Sequence, residues 1–105
     1  MAWFYLLIAG LFEIGWAIGL KYSEGFSKAI PTALTIVGMI ASFYFLAQAL
    51  KAIPVGTAYA VWTGIGACGT ALCGIALFGE SAAPLRLFCL AMIVAGLIGL
   101  KMVSE

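Results

Sequence analysis

The chain has 105 residues, 66% of them hydrophobic and 9% charged, with a formal net charge of +1. A mean hydropathy of +1.22 is far above that of a water-soluble domain and places the chain in the membrane class. The near-neutral charge excludes nucleic acid as a partner, and the absence of histidine leaves any proton chemistry to carboxylates, Tyr, Lys or water.

The first apolar run, Ala2–Leu20, holds one charged side chain, Glu13. At about 1.5 Å per residue it spans a hydrocarbon core, and Glu13 falls about 3 Å from its midpoint at Leu11. With no basic start and an acid at its middle, the run does not read as a signal peptide. A charge held at that depth costs about 2.5–3.5 kcal/mol on insertion scales, so an ion or proton site is the default reading. The bland alternative is a protonated carboxyl bonded to a neighbouring helix. The surroundings favour a site: Trp16 at i+3 and Gly10 at i−3 share its face, and Ala9 and Ala17 keep that face narrow.

Polar residues from Lys21 to Lys28 close the first run, with Gly25 available for a turn. The second run covers about 29–50, with Pro31 near its start, where a missing N–H costs little; Ser42 lies near its middle. Lys51 to Ile53 then make a tight helical hairpin with the third run, 54–78. Its glycines at Gly64 and Gly66 flank the midpoint and allow either a kink or close helix packing. Tyr59 and Trp62 share one face at i, i+3. Trp62 is too deep for an interfacial belt, a role that suits Trp3 and Tyr5. Thr63 and Thr70 are also deep. The fourth run, 84–103, carries Ala91, Ala95 and Gly99 at i, i+4 and i+8, a small-residue stripe suited to helix–helix association. Residues 1–105 thus read as a single domain of four transmembrane helices. Cys68, Cys73 and Cys89 match no metal spacing and read as packing residues.

On the amino-terminal side the loops carry Lys51 and Lys101, and on the other Lys21, Lys28 and Arg86. The α-amino group evens the count, so the positive-inside rule expresses almost no preference. Either another feature fixes the topology, or the chain inserts both ways and forms an antiparallel pair, as inverted repeats do in transporters.

Glu13, Trp16, Ser42, Tyr59 and Trp62 read as one polar and aromatic pocket. Ser42 and Tyr59 can donate to the carboxylate, and the indoles can face a cation. A single acid with no buried base implies a cationic ligand. The carboxylate can hold a proton or pair with the cation, not both, which suffices to couple opposed fluxes. Four short helices are too few to enclose such a site with two alternating openings, so a dimer is the smallest sensible unit.

Four segments carry a resemblance across essentially the whole chain: Phe12-Glu13-Ile14-Gly15-Trp16-Ala17, the Lys21-Tyr22 to Gly25-Phe26 loop, Pro54 through Ala67, and Gly79-Glu80-Ser81. The sequence resembles the small multidrug resistance family, and within it the guanidinium-exporter subtype, which Trp16 favours over the broad quaternary-ammonium exporters. The resemblance implies an all-α, dual-topology homodimer in a prokaryotic inner membrane, exchanging protons for guanidinium without a cofactor or metal. By the same resemblance Glu13 is the shared proton and substrate carboxylate. Trp16 and Ser42 are its hydrogen-bonding partners, Tyr59 is a switching tyrosine, Trp62 a pocket wall, Gly64 and Gly66 a hinge, and the fourth helix the dimer contact. The runner-up is an exporter of polyaromatic and quaternary-ammonium cations. A proton-carrying rotor subunit or a proton channel is a reading from another class. An enzyme is not indicated, since no nucleophile–base pair or metal set is visible.

Overall fold

A lipid environment offers no partners to backbone N–H and C=O groups, so a spanning segment must satisfy them internally. A computed structural model describes residues 1–104. It folds the four apolar runs into α1 (Ala2–Tyr22), α2 (Ala29–Ala49), α3 (Val55–Phe78) and α4 (Pro84–Ser104). All four are long and apolar enough to cross a membrane.

The helix ends follow local chemistry. Ser23, fully buried, closes α1: its Oγ donates to the Leu20 carbonyl at 2.7 Å and accepts the Phe26 N–H at 3.1 Å. Gly79, at φ 66°, ends α3 in a left-handed cap that a side chain disfavours. Pro84 opens α4, where its missing N–H would have had no helical partner anyway.

Packing places α1 in the middle. It lies against α2 on one side and α3 on the other, while α4 packs mainly on α3, with Lys101 over the Trp3 ring of α1. The order across the molecule is therefore α2–α1–α3–α4, a flattened body of 42 × 35 × 17 Å. The short connection between α2 and α3 makes a hairpin in the chain, yet the two helices touch little; each packs mainly on α1. Small residues set the seams. Gly10 faces Ile65, Gly69 faces Ile14, and Gly38 faces the Cβ of Trp16. Close backbone approach of this kind drives helix association in lipid, where burial of apolar surface adds little.

The buried cluster sits toward the amino-terminal side: Leu6, Ala9, Ala49, Ile53, Ala58, Val61 and Trp62. α4 adds nothing fully buried. Ala91 and Ala95 are exposed and Gly99 is half-buried. α3 runs as one continuous helix through Gly64-Ile65-Gly66. Here both glycines are contact points: Gly64 receives the Leu97 side chain of α4, and Gly66 receives the Glu13 carboxyl of α1.

Candidate functional site

Glu13 leaves α1 toward α3, and its carboxyl rests on the bare backbone of Gly66. Oε1 is buried and accepts no hydrogen bond. A buried acceptor without a partner costs about 1–3 kcal/mol, more when charged, which makes this atom the candidate ligand position. The carboxyl stands at the inner end of a groove of about 580 Å³ between α1 and α3. Ala17, Thr63, Gly66 and Thr70 line its walls, and Lys21, Phe78, Glu80 and Arg86 its outer end. On the other side of Glu13 lies the buried cluster. From Glu13 the groove runs along α1 and α3 toward the α1–α2 and α3–α4 loops.

Ser42 and Trp62 form a second unit. Trp62 Nε1 donates to Ser42 Oγ at 2.9 Å, and that hydroxyl donates to the Ala9 carbonyl at 2.7 Å. Both residues are buried, Ser42 at 0% and Trp62 at 6% exposure. The chain of bonds ties α3 to α2 to α1. It ends on the carbonyl that, by helical register, also accepts the Glu13 N–H. The hydroxyl thus fixes the turn of α1 that carries Glu13 without touching the carboxylate. Tyr59 is 57% exposed, with its ring 5.6 Å from that of Trp62; Phe43 flanks the same indole at 5.6 Å.

The five residues expected in one pocket are thus divided. Ser42 spends its single proton on Ala9 rather than on Glu13. Trp16 sets its Cβ against Gly38 of α2, and its Nε1 is buried with no acceptor. The reason is the central position of α1. Residues three apart on a helix differ by about 60° in direction, and on a helix flanked on both sides that is enough to send Glu13 toward α3 and Trp16 toward α2. Tyr59 lies on the open surface one turn from Trp62 and donates nothing to Glu13.

The outer end of the groove was not read from the sequence. The sequence places Lys21 and Arg86 among the loop charges, and Lys21 and Glu80 in the segments that carry the resemblance, but none of the three among the site residues. Helical spacing could have found the groove wall, since Gly66, Thr70 and Gly74 fall at i, i+4 and i+8 of α3. At the mouth, Arg86 Nη2 pairs with Glu80 Oε1 at 3.1 Å, and Lys21 Nζ lies 5.1 Å over the Phe78 ring.

The family model described as Small Multidrug Resistance protein matches residues 1–93. The chain is 61% identical over 104 residues to the guanidinium exporter of Yersinia pseudotuberculosis, covering 99% of this chain and 100% of that protein. To the guanidinium exporter of Escherichia coli it is 60% identical over 102 residues, 97% of each chain. To that of Salmonella typhimurium it is 59% identical over the same length and coverage.

Proposed function

The chain belongs to the small multidrug resistance family, and on that premise we propose that it exports guanidinium in exchange for protons, Glu13 holding the two cations in turn. The family makes it a multi-pass transporter of the prokaryotic inner membrane rather than an enzyme. The observation that carries the proposal is the buried, partnerless Oε1 of Glu13 in the groove between α1 and α3. The relatives' names supply the substrate. Guanidinium is planar and permanently charged, and two of its N–H groups match a carboxylate edge in a bidentate fit. A proton on the same carboxyl removes that fit, so one occupant excludes the other and the fluxes are coupled.

Alternating access needs a second opening. The groove of one subunit runs toward the loops of one side, and α4, with Ala91 and Ala95 exposed, presents a face that a partner can cover. An antiparallel homodimer would present the groove of each copy to opposite sides, with bending at Gly64 and Gly66 exchanging the two states. Trp16 and Tyr59 take part in that dimeric site: the first has an unspent N–H, the second an exposed ring.

The test is proton movement in proteoliposomes driven by a guanidinium gradient. Guanidinium-dependent alkalinisation or acidification, reversing with the gradient, is the expected result. Proton flux of equal size without substrate would instead indicate a channel and sink the antiporter. The groove volume of about 580 Å³ also suits a drug-sized ligand, which lies in pockets of about 300–1,000 Å³. That observation favours the second reading, export of polyaromatic cations. Tetraphenylphosphonium currents exceeding those of guanidinium would decide for it.

The antiparallel arrangement has its own test. Two lysines added to the loops of one side should fix insertion in one direction. Each biased variant alone is then expected to be inactive, and the oppositely biased pair active together. Full transport by one fixed orientation rules the arrangement out.

A further inference from the structure

We propose that Glu80, at the open end of the groove, is an outer cation-binding position that passes guanidinium to Glu13, and that the Arg86 side chain occupies it as a built-in competitor. The proposal rests on the guanidinium reading above and adds a second station to the same groove.

Both carboxylates of the groove are seated alike. The Glu13 carboxyl lies on Gly66 and the Glu80 carboxyl on Gly74, where in each case a Cβ would overlap the carboxyl group. Gly66 and Gly74 are eight residues apart on α3, about 12 Å along the axis. Thr70, halfway between them, lines the same wall. Glu80 is therefore not directed away from the protein as a loop acid would be; it is turned into the groove that ends at Glu13.

The occupant of Glu80 is chemically informative. Arg86 presents a guanidinium, with Nη2 at 3.1 Å from Oε1, while Nη1 donates to the Ser81 carbonyl at 2.7 Å. Lys21, the other cation at the mouth, lies instead over the Phe78 ring. The guanidinium thus spans the Glu80 carboxylate and the Ser81 carbonyl, one N–H to each, a two-point contact that a single ammonium point charge does not reproduce. The pair is open to water, with side chains 35% and 43% exposed. An ion pair so exposed shifts an equilibrium by no more than about fivefold, so a free guanidinium ion can displace the side chain. Arg86 then keeps other cations off Glu80 in the absence of substrate and withdraws when guanidinium arrives.

A simple staple of the α3–α4 loop would also use these contacts, and steady-state flux separates the two. Guanidinium transport by the full-length protein in proteoliposomes is measured for Glu80→Gln, Arg86→Gln and the double variant. Glu80→Gln is expected to raise KM several-fold with kcat within about twofold, and to flatten the salt dependence of kcat/KM. Arg86→Gln is expected to lower KM by up to about fivefold, the worth of the exposed pair it removes. The double variant should match Glu80→Gln alone, since without the carboxylate there is nothing to compete for. Should Arg86→Gln not fold, Arg86→Lys keeps the charge, loses the fork and is expected to lower KM in the same direction. A staple predicts that both single variants lower kcat together with KM unchanged, and that result overturns the proposal. Wild-type flux with a KM indifferent to both residues overturns it while leaving the guanidinium reading intact. No wild-type guanidinium flux removes that reading and this proposal together.

Discussion

Glu13→Gln is expected to abolish proton-coupled guanidinium flux, by a hundredfold or more, while the protein still inserts and folds. Gln has nearly the volume of Glu, so the contact with Gly66 and the seam between α1 and α3 survive. The substitution also removes the one charge from the interior of α1, and a neutral amide is no costlier to insert there than a charged carboxylate. A loss of transport therefore cannot be assigned to a loss of stability. What disappears is the group itself: an amide neither takes up a proton in this range nor makes the charge-assisted, two-point contact that a carboxylate makes with guanidinium. The measurement is guanidinium-driven pH change in proteoliposomes, with elution volume and helical content of the purified variant as the fold control. Coupled exchange by the Gln variant at a tenth of the wild-type rate or more would show that another group carries the proton.

Gly66→Ala is expected to give the second-largest effect, a fall in transport of at least tenfold, without loss of fold. The added Cβ would fall on the Glu13 carboxyl, overlapping Oε1 and the carboxyl carbon. The two helices cannot easily part, because Gly10 against Ile65 and Gly69 against Ile14 hold them on either side of the contact. The flexible end of Glu13 yields instead, and the carboxyl leaves its seat. A displacement of about 1 Å at a reacting group is enough to cost 10²-fold in a tuned site, so a tenfold loss is a conservative expectation. Stability should move the other way, since Ala is the better helix former by about 1 kcal/mol. Gly56→Ala, in the first turn of the same helix and with nothing near its would-be Cβ, is the control and should transport normally. Equal flux through Gly66→Ala and Gly56→Ala would mean that the contact between Glu13 and Gly66 plays no part in exchange.

The two results together bear on how the site is built. Glu13 supplies the charge, Gly66 the place for it, and the Trp62–Ser42–Ala9 chain of hydrogen bonds the position of the turn. Interhelical hydrogen bonds in membrane proteins average about 0.6 kcal/mol each, so such a chain does more to orient α1 than to stabilise the fold. No member of that chain donates to Glu13 Oε1. Trp16 keeps an unspent N–H and Tyr59 an exposed ring, the two groups that the proposed dimer would engage.

Four apolar runs, the depth of Glu13 and the short connections between helices were all legible in the sequence. They are properties of a chain measured against a bilayer: length fixes whether a run crosses, and distance from its midpoint fixes the depth of a charge. Position along a helix and angle around it follow from the residue number alone, so the shared faces of Glu13 with Gly10, and of Tyr59 with Trp62, were legible as well. Which helix each face meets was not. That depends on the order α2–α1–α3–α4, set by where small residues on different helices let backbones approach. Only the tertiary structure could therefore part Glu13 from Trp16 across the two sides of α1, commit the Ser42 hydroxyl to a backbone carbonyl, and extend the groove from Glu13 to Glu80 and Arg86. The physical reason is that helical period gives a direction in the frame of one helix, whereas a site is made of directions that meet, and the meeting is decided by packing between helices far apart in the chain.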